Sequence, residues 1–182
     1  IVGSNGYNTN IYYPIVNQCR NTGKVEGDSY VGGIAGRSYA NSSYIPKVEY
    51  CSNTGKVIAN SDYAGGITGY NYYGNVQHNN NQGNVSLMNS YAGGIVGYHE
   101  GTGNISYNVN SGEIAPRYSH SSNTYMAGIV GYKTTNSYAY IQYNTNKGNV
   151  KANGSYAAGI VGYSNYAYVR YNSNAGNISS TS

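Results

Sequence analysis

Val48-Glu49-Tyr50-Cys51-Ser52-Asn53-Thr54-Gly55-Lys56-Val57 is the stretch on which the reading of the fold turns. Its frame is Val or Ile, two residues, Cys or Asn, one residue, Asn, one residue, Gly, one residue, Val or Ile. The same frame returns at Val16 to Val25, Val76 to Val85, Ile105 to Ile114, Ile141 to Val150 and Val169 to Ile178. Recurrence of a ten-position template at a fixed period is the signature of a stacked repeat architecture.

Working outward, a Gly-rich element alternates with that frame. It reads Tyr30-Val31-Gly32-Gly33-Ile34-Ala35-Gly36, then Tyr63-Ala64-Gly65-Gly66-Ile67-Thr68-Gly69 and Tyr91-Ala92-Gly93-Gly94-Ile95-Val96-Gly97. Two further copies, from Tyr125 to Gly131 and from Tyr156 to Gly162, carry Ala127 and Ala158 in place of the first Gly of the pair. Counting from Ile1, the Ile anchors lie 33, 33, 28, 34 and 31 residues apart.

Composition agrees with a β-repeat. All 25 aromatics are Tyr, Leu87 is the single Leu, and charged residues are 9% of the chain, against about 25% in ordinary soluble proteins. Helix formers are scarce, whereas Tyr, Val, Ile and Thr favour strands and Gly and Asn favour turns. Gly/Ser/Asn-rich chains often stay disordered, but they do not space their few Val and Ile residues on a period.

These two elements resemble the GLUG-motif repeats of large bacterial surface and secreted proteins, adhesin-like and IgA-peptidase-like ones among them. The resemblance is carried by Gly93-Gly94-Ile95-Val96-Gly97 and by Cys51-Ser52-Asn53-Thr54-Gly55-Lys56-Val57, and covers nearly the whole chain. It implies an extracellular or cell-surface location and a repeat architecture. It implies no particular activity.

Each unit holds three strand-like pieces, which in the last copy are 156–163, 168–171 and 177–179. The expected fold is therefore all-β: a β-solenoid (parallel β-helix) with about three short strands per coil and about six coils. At ~4.8 Å per rung this makes a rod of roughly 29 Å. Residues 1–182 read as a single repeat array. The chain opens at Ile1 in mid-motif and stops at Ser182 where another Gly-rich element is due, which points to a fragment of a longer array or a filament subunit stacking head to tail.

Parity within a strand assigns the faces. Cys51, Asn53, Gly55 and Val57 share the inward face. Ser52, Thr54 and Lys56 share the wet one, together with Arg20, Asn80, Thr145, Lys24, Glu113 and Asn149. A column of Val25, Val57, Val85, Ile114, Val150 and Ile178 then lines the interior. Beside it run Asn21, Asn53, Asn81, Asn110, Asn146 and Asn174, which bury safely only if each amide bonds to the next as a ladder. Cys19 and Cys51 occupy the neighbouring Cys/Asn column, as buried thiols or as a disulfide with a long Cβ separation.

On the outer side of the Gly-rich strand the same logic places Val96, Val130 and Val161, and two residues further on Tyr70, Tyr98, Tyr132 and Tyr163. This Val/Tyr stripe is the candidate interface, unless inserts such as Ala115 to Thr124 fold over it.

Chemistry is otherwise sparse. Glu26, Asp28, Glu49, Asp62, Glu100 and Glu113 fall at unrelated repeat positions, as do His78, His99 and His120, and His99-Glu100 reads as an exposed loop pair. No catalytic constellation, zinc spacing or cofactor motif is expected. The Gly-rich element lacks the Gly-Lys-Ser/Thr ending of a phosphate loop. The +4 charge is scattered, which argues against nucleic acid, and no apolar run reaches the ~18 residues of a membrane span.

The expected role is structural: a stalk, spacer or filament-forming segment of a secreted or surface protein, self-associating head to tail or laterally, or joined to further repeats of the same protein. The alternative is an adhesin-type binding module using Tyr/Val or Asn/Ser/Thr faces for a glycan or a surface.

Overall fold

The computed structural model describes residues 1–6, 14–39, 45–118, 124–153 and 156–181. Among these there is no helix, and every strand pairing is parallel and joins a strand to its counterpart one repeat away. The chain is a β-solenoid.

One coil shows the plan. Thr68–Tyr72 lies in the first sheet, Asn75–Gln77 in the second, Asn80–Asn81 in the third, Val85–Leu87 in the fourth and Tyr91–Gly93 in the fifth. Val96–Glu100 then returns to the first sheet, one rung on. Five complete coils and most of a sixth build four six-stranded sheets and one five-stranded sheet.

Five short strands per coil stand where three pieces were expected, and the sequence shows why. The piece 156–163 crosses a corner at Gly159-Ile160, so Tyr156–Ala158 and Val161–Ser164 belong to different sheets. The other additional strand is the two-residue Ser173–Asn174 of the third sheet, too short to announce itself by periodicity.

Register stacks like on like. Val57, Val85, Ile114 and Val150 are successive partners in the fourth sheet, and Val48, Val76, Ile105 and Ile141 belong to one column of the second. All eight are buried, each such side chain contributing about 1.5–3 kcal/mol. They fall into two clusters. One joins Ile34, Ile67, Ile95 and Ile129 to the second-sheet column; the other joins Ala64, Leu87, Ala92 and Met126 to the fourth-sheet column.

Candidate functional site: tyrosine columns over an asparagine seam

The two clusters are divided by a polar seam. Asn21 Nδ2 donates to Asn53 Oδ1 at 2.7 Å, Asn53 to Asn81 at 2.8 Å, Asn81 to Asn110 at 2.8 Å, Asn110 to Asn146 at 2.8 Å and Asn146 to Asn174 at 2.7 Å. Each Nδ2 also donates to the carbonyl of the Gly two residues on, as Asn53 does to Gly55 at 2.9 Å and Asn110 to Gly112 at 2.9 Å. Both amide hydrogens are thus used, one along the rod and one to close the local turn.

The seam explains the second Gly of the Gly-rich corner. A Cβ on Gly94 would overlap the Asn110 amide and the Gly128 carbonyl, and Gly33, Gly66, Gly128 and Gly159 abut Asn53, Asn81, Asn146 and Asn174 in the same way. The asparagine of each coil reaches across the interior to the glycine that opens that coil. The two sequence elements are halves of one contact.

A second ladder runs where only a Cys/Asn column was expected. The Asn79 amide donates to Asn108 Oδ1, Asn108 to Asn144 and Asn144 to Asn172, all at 3.0 Å. Each Oδ1 also receives the backbone N–H of the preceding rung, as Asn79 receives that of Cys51 at 2.9 Å. The two cysteines, free thiols in the structure, head this column. Cys51 Sγ donates to the Glu49 carbonyl at 3.2 Å, and burial pushes its thiol pKa up. The signal was the shared inward parity of Cys51 and Asn53.

The candidate interface needs a correction. Val96 and Val130 do not point outward: both are fully buried in the cluster of Ile95 and Ile129, and Val161 packs against that cluster from the end coil. Ala35 and Thr68, at the same position, are also buried. Strict alternation holds only within a strand, and the chain turns a corner between Gly93 and Val96. Residues on either side of the bend can therefore both face the interior.

The tyrosines do line the outer side. Tyr70, Tyr98, Tyr132 and Tyr163 form one column, with ring centroids 5.4, 5.4 and 4.5 Å apart. Tyr30, Tyr63, Tyr91, Tyr125 and Tyr156 form a second, at 5.0, 5.5, 5.5 and 4.5 Å. The columns interlock edge to face, for example Tyr63 on Tyr98 at 5.2 Å and Tyr125 on Tyr132 at 5.1 Å, as ring quadrupoles prefer. Arg37 takes the tyrosine's place one rung before Tyr70, its guanidinium 5.4 Å from the Tyr70 ring. Tyr70 Oη donates to Glu100 Oε2 at 2.7 Å, and desolvation with that carboxylate drives the phenol pKa far up.

Behind these rings lies a buried polar column of Ser38, Asn71, His99 and Lys133. His99 is therefore no exposed loop residue. Asn71 Nδ2 donates to His99 Nδ1 at 3.0 Å, and His99 Nε2 donates to the Gly103 carbonyl at 2.8 Å, which fixes the neutral tautomer. Burial, with Lys133 adding repulsion, holds its pKa down to about 3. Lys133 Nζ donates to the Thr134 and Ser137 carbonyls at 2.7 and 3.3 Å, and desolvation lowers its pKa to about 8. His120 lies outside the described residues.

A third aromatic column sits at the corner between the second and third sheets. Tyr50, His78, Tyr107, Tyr143 and Tyr171 stack at 4.9, 4.9, 5.0 and 5.1 Å with planes within 13°. All five have left-handed backbones, φ 54–58°.

Comparison with known proteins bears on the repeat alone. No curated protein and no solved structure matches the chain. Residues 27–58, one full circuit from the fourth sheet back to itself, match the family model described as the GLUG motif.

Proposed function

We propose that this repeat array is a rod-like structural module, a stalk, spacer or filament-forming segment, that packs laterally on copies of itself through the interlocked tyrosine face. The reading is carried by the unbroken register of like residues along five parallel sheets. An interior devoted to rung-to-rung bonding gives length and stiffness. Two acidic side chains also pair across rungs at the surface, Glu113 with Lys151 one rung on and Glu26 with Arg117.

The tyrosine rings favour packing against another copy over gripping a sugar. Their faces are covered by neighbours above and below, so ring edges and hydroxyls are what the columns offer outward. Carbohydrate stacking uses ring faces, whereas edges and hydroxyls suit interdigitation with a second tyrosine face. A secreted or surface location is part of the proposal, supported by the similarity to GLUG repeats, and fractionation of the source cells tests it.

The test of lateral packing is the pair Tyr98→Lys and Tyr132→Lys. Sedimentation and electron microscopy of the wild-type chain should show side-by-side assemblies that the double variant loses, with circular dichroism unchanged. Assembly that survives with β-structure intact removes the tyrosine face as the interface.

A further inference from the structure

The third aromatic column differs from the interlocked pair. Tyr107, Tyr143 and Tyr171 are all exposed and have no edge-to-face partner among the described residues, so one side of each ring stands open to solvent. Their backbones are held in one conformation at one corner, and register keeps each ring over the next at 5.0 and 5.1 Å with planes 8° and 13° apart. The near-parallel stacking brings the phenol rings of successive coils together at an exposed edge, with the Arg170 guanidinium 5.5 Å from the Tyr171 ring at the end of the column. In the interlocked pair, by contrast, Tyr63, Tyr91, Tyr98 and Tyr132 are half-buried and packed against rings of the neighbouring column as well as their own. His78 interrupts the third column between Tyr50 and Tyr107.

We propose that the Tyr107, Tyr143 and Tyr171 column is a site of oxidative dityrosine coupling, which staples successive coils covalently. The co-reactant is hydrogen peroxide acting through a haem peroxidase. Each of two phenols loses one electron and one proton, the two phenoxyl radicals join through a new bond between ortho carbons, and the two ortho hydrogens move to oxygen to restore both hydroxyls. Peroxide is reduced to two waters, so two tyrosines and one peroxide give one dityrosine and two waters. The inference is independent of the proposed lateral packing.

The sequence makes the products easy to read. Tryptic cleavage leaves Tyr50 as the single tyrosine of peptide 48–56 and Tyr171 as the single tyrosine of peptide 171–182, while Tyr143 lies in 134–147. The full chain, dilute enough to stay monomeric, is treated with a haem peroxidase and peroxide and digested. Peptide 171–182 should be recovered joined to 134–147 with the loss of two hydrogens, and peptide 48–56 should remain uncoupled. Tyr143→Phe should abolish the joined product, and His78→Tyr, by completing the column, should join 48–56 to 57–117. The proposal is overturned if 171–182 stays uncoupled while other tyrosines react. It is equally overturned if the joined product persists in Tyr143→Phe, or if 48–56 couples within the wild-type chain as readily as in His78→Tyr.

Discussion

At the scale of single residues, the fold rests on side chains that bond to their own copies. Asn110 is fully buried, yet its amide is satisfied by Asn146, Gly112 and Asn81. Asn110→Ala leaves the Asn81 amide hydrogen and the Gly112 carbonyl without partners, at about 1–3 kcal/mol for each orphaned group. Gly94→Ala attacks the same contact from the other side and should cost about 1–3 kcal/mol by overpacking, read by urea denaturation. His99 gives a pH signature. Its folded pKa is depressed, so the unfolded chain binds the proton first; this contribution is whole above about pH 6.5 and is lost as pH falls from there toward 3. The midpoint of denaturation should drop between pH 6.5 and 5, above the range where carboxylates titrate, and His99→Asn should flatten that limb. That variant puts at rung 99 the residue already present at Asn71.

At the scale of elements, what was legible was parity, and what was not was the corner. Alternation from Cys51 to Val57 reads the inward face correctly although the run passes from the third sheet to the fourth, because the Asn53 amide bonded to the Gly55 carbonyl carries the alternation through that turn. Applied from Ile95 to Val96 it fails, because the Gly93-Gly94 pair lets the chain bend and bring both residues inside. Val130→Lys should therefore unfold the chain, since it buries an unpaired charge, whereas Tyr132→Lys should leave the far-ultraviolet spectrum intact. The buried His99 column is not legible in the sequence for a different reason. Its members, Ser38, Asn71, His99 and Lys133, share no residue type, so no column stands out in the sequence. The left-handed corner at Tyr50, Tyr107, Tyr143 and Tyr171 was hidden too. A left-handed residue costs roughly 1–2 kcal/mol, and each stacked ring pair returns about 0.5–1.5 kcal/mol, so aromatic stacking lets Tyr sit where Gly or Asn is usual.

At the scale of the molecule, the spacing of 28 to 34 residues between Ile anchors already contained the architecture: one circuit per repeat, with like residues overlaid. Loop length varies between repeats without disturbing register, because the residues that vary lie between the strands. The central claim is this overlay, and spin-label distances test it most directly. In a Cys19→Ser, Cys51→Asn background, nitroxides are placed on the outer face of the third sheet at Arg20 with Thr145, and at Arg20 with Ser173. These pairs are four and five rungs apart, and backbone separations of about 19 and 24 Å are expected from a ~4.8 Å rung. A mean distance that lengthens by one rung between the two pairs agrees with the account. Distances that grow by the width of a folded domain per repeat, or a broad distribution without a rung-sized step, would contradict it.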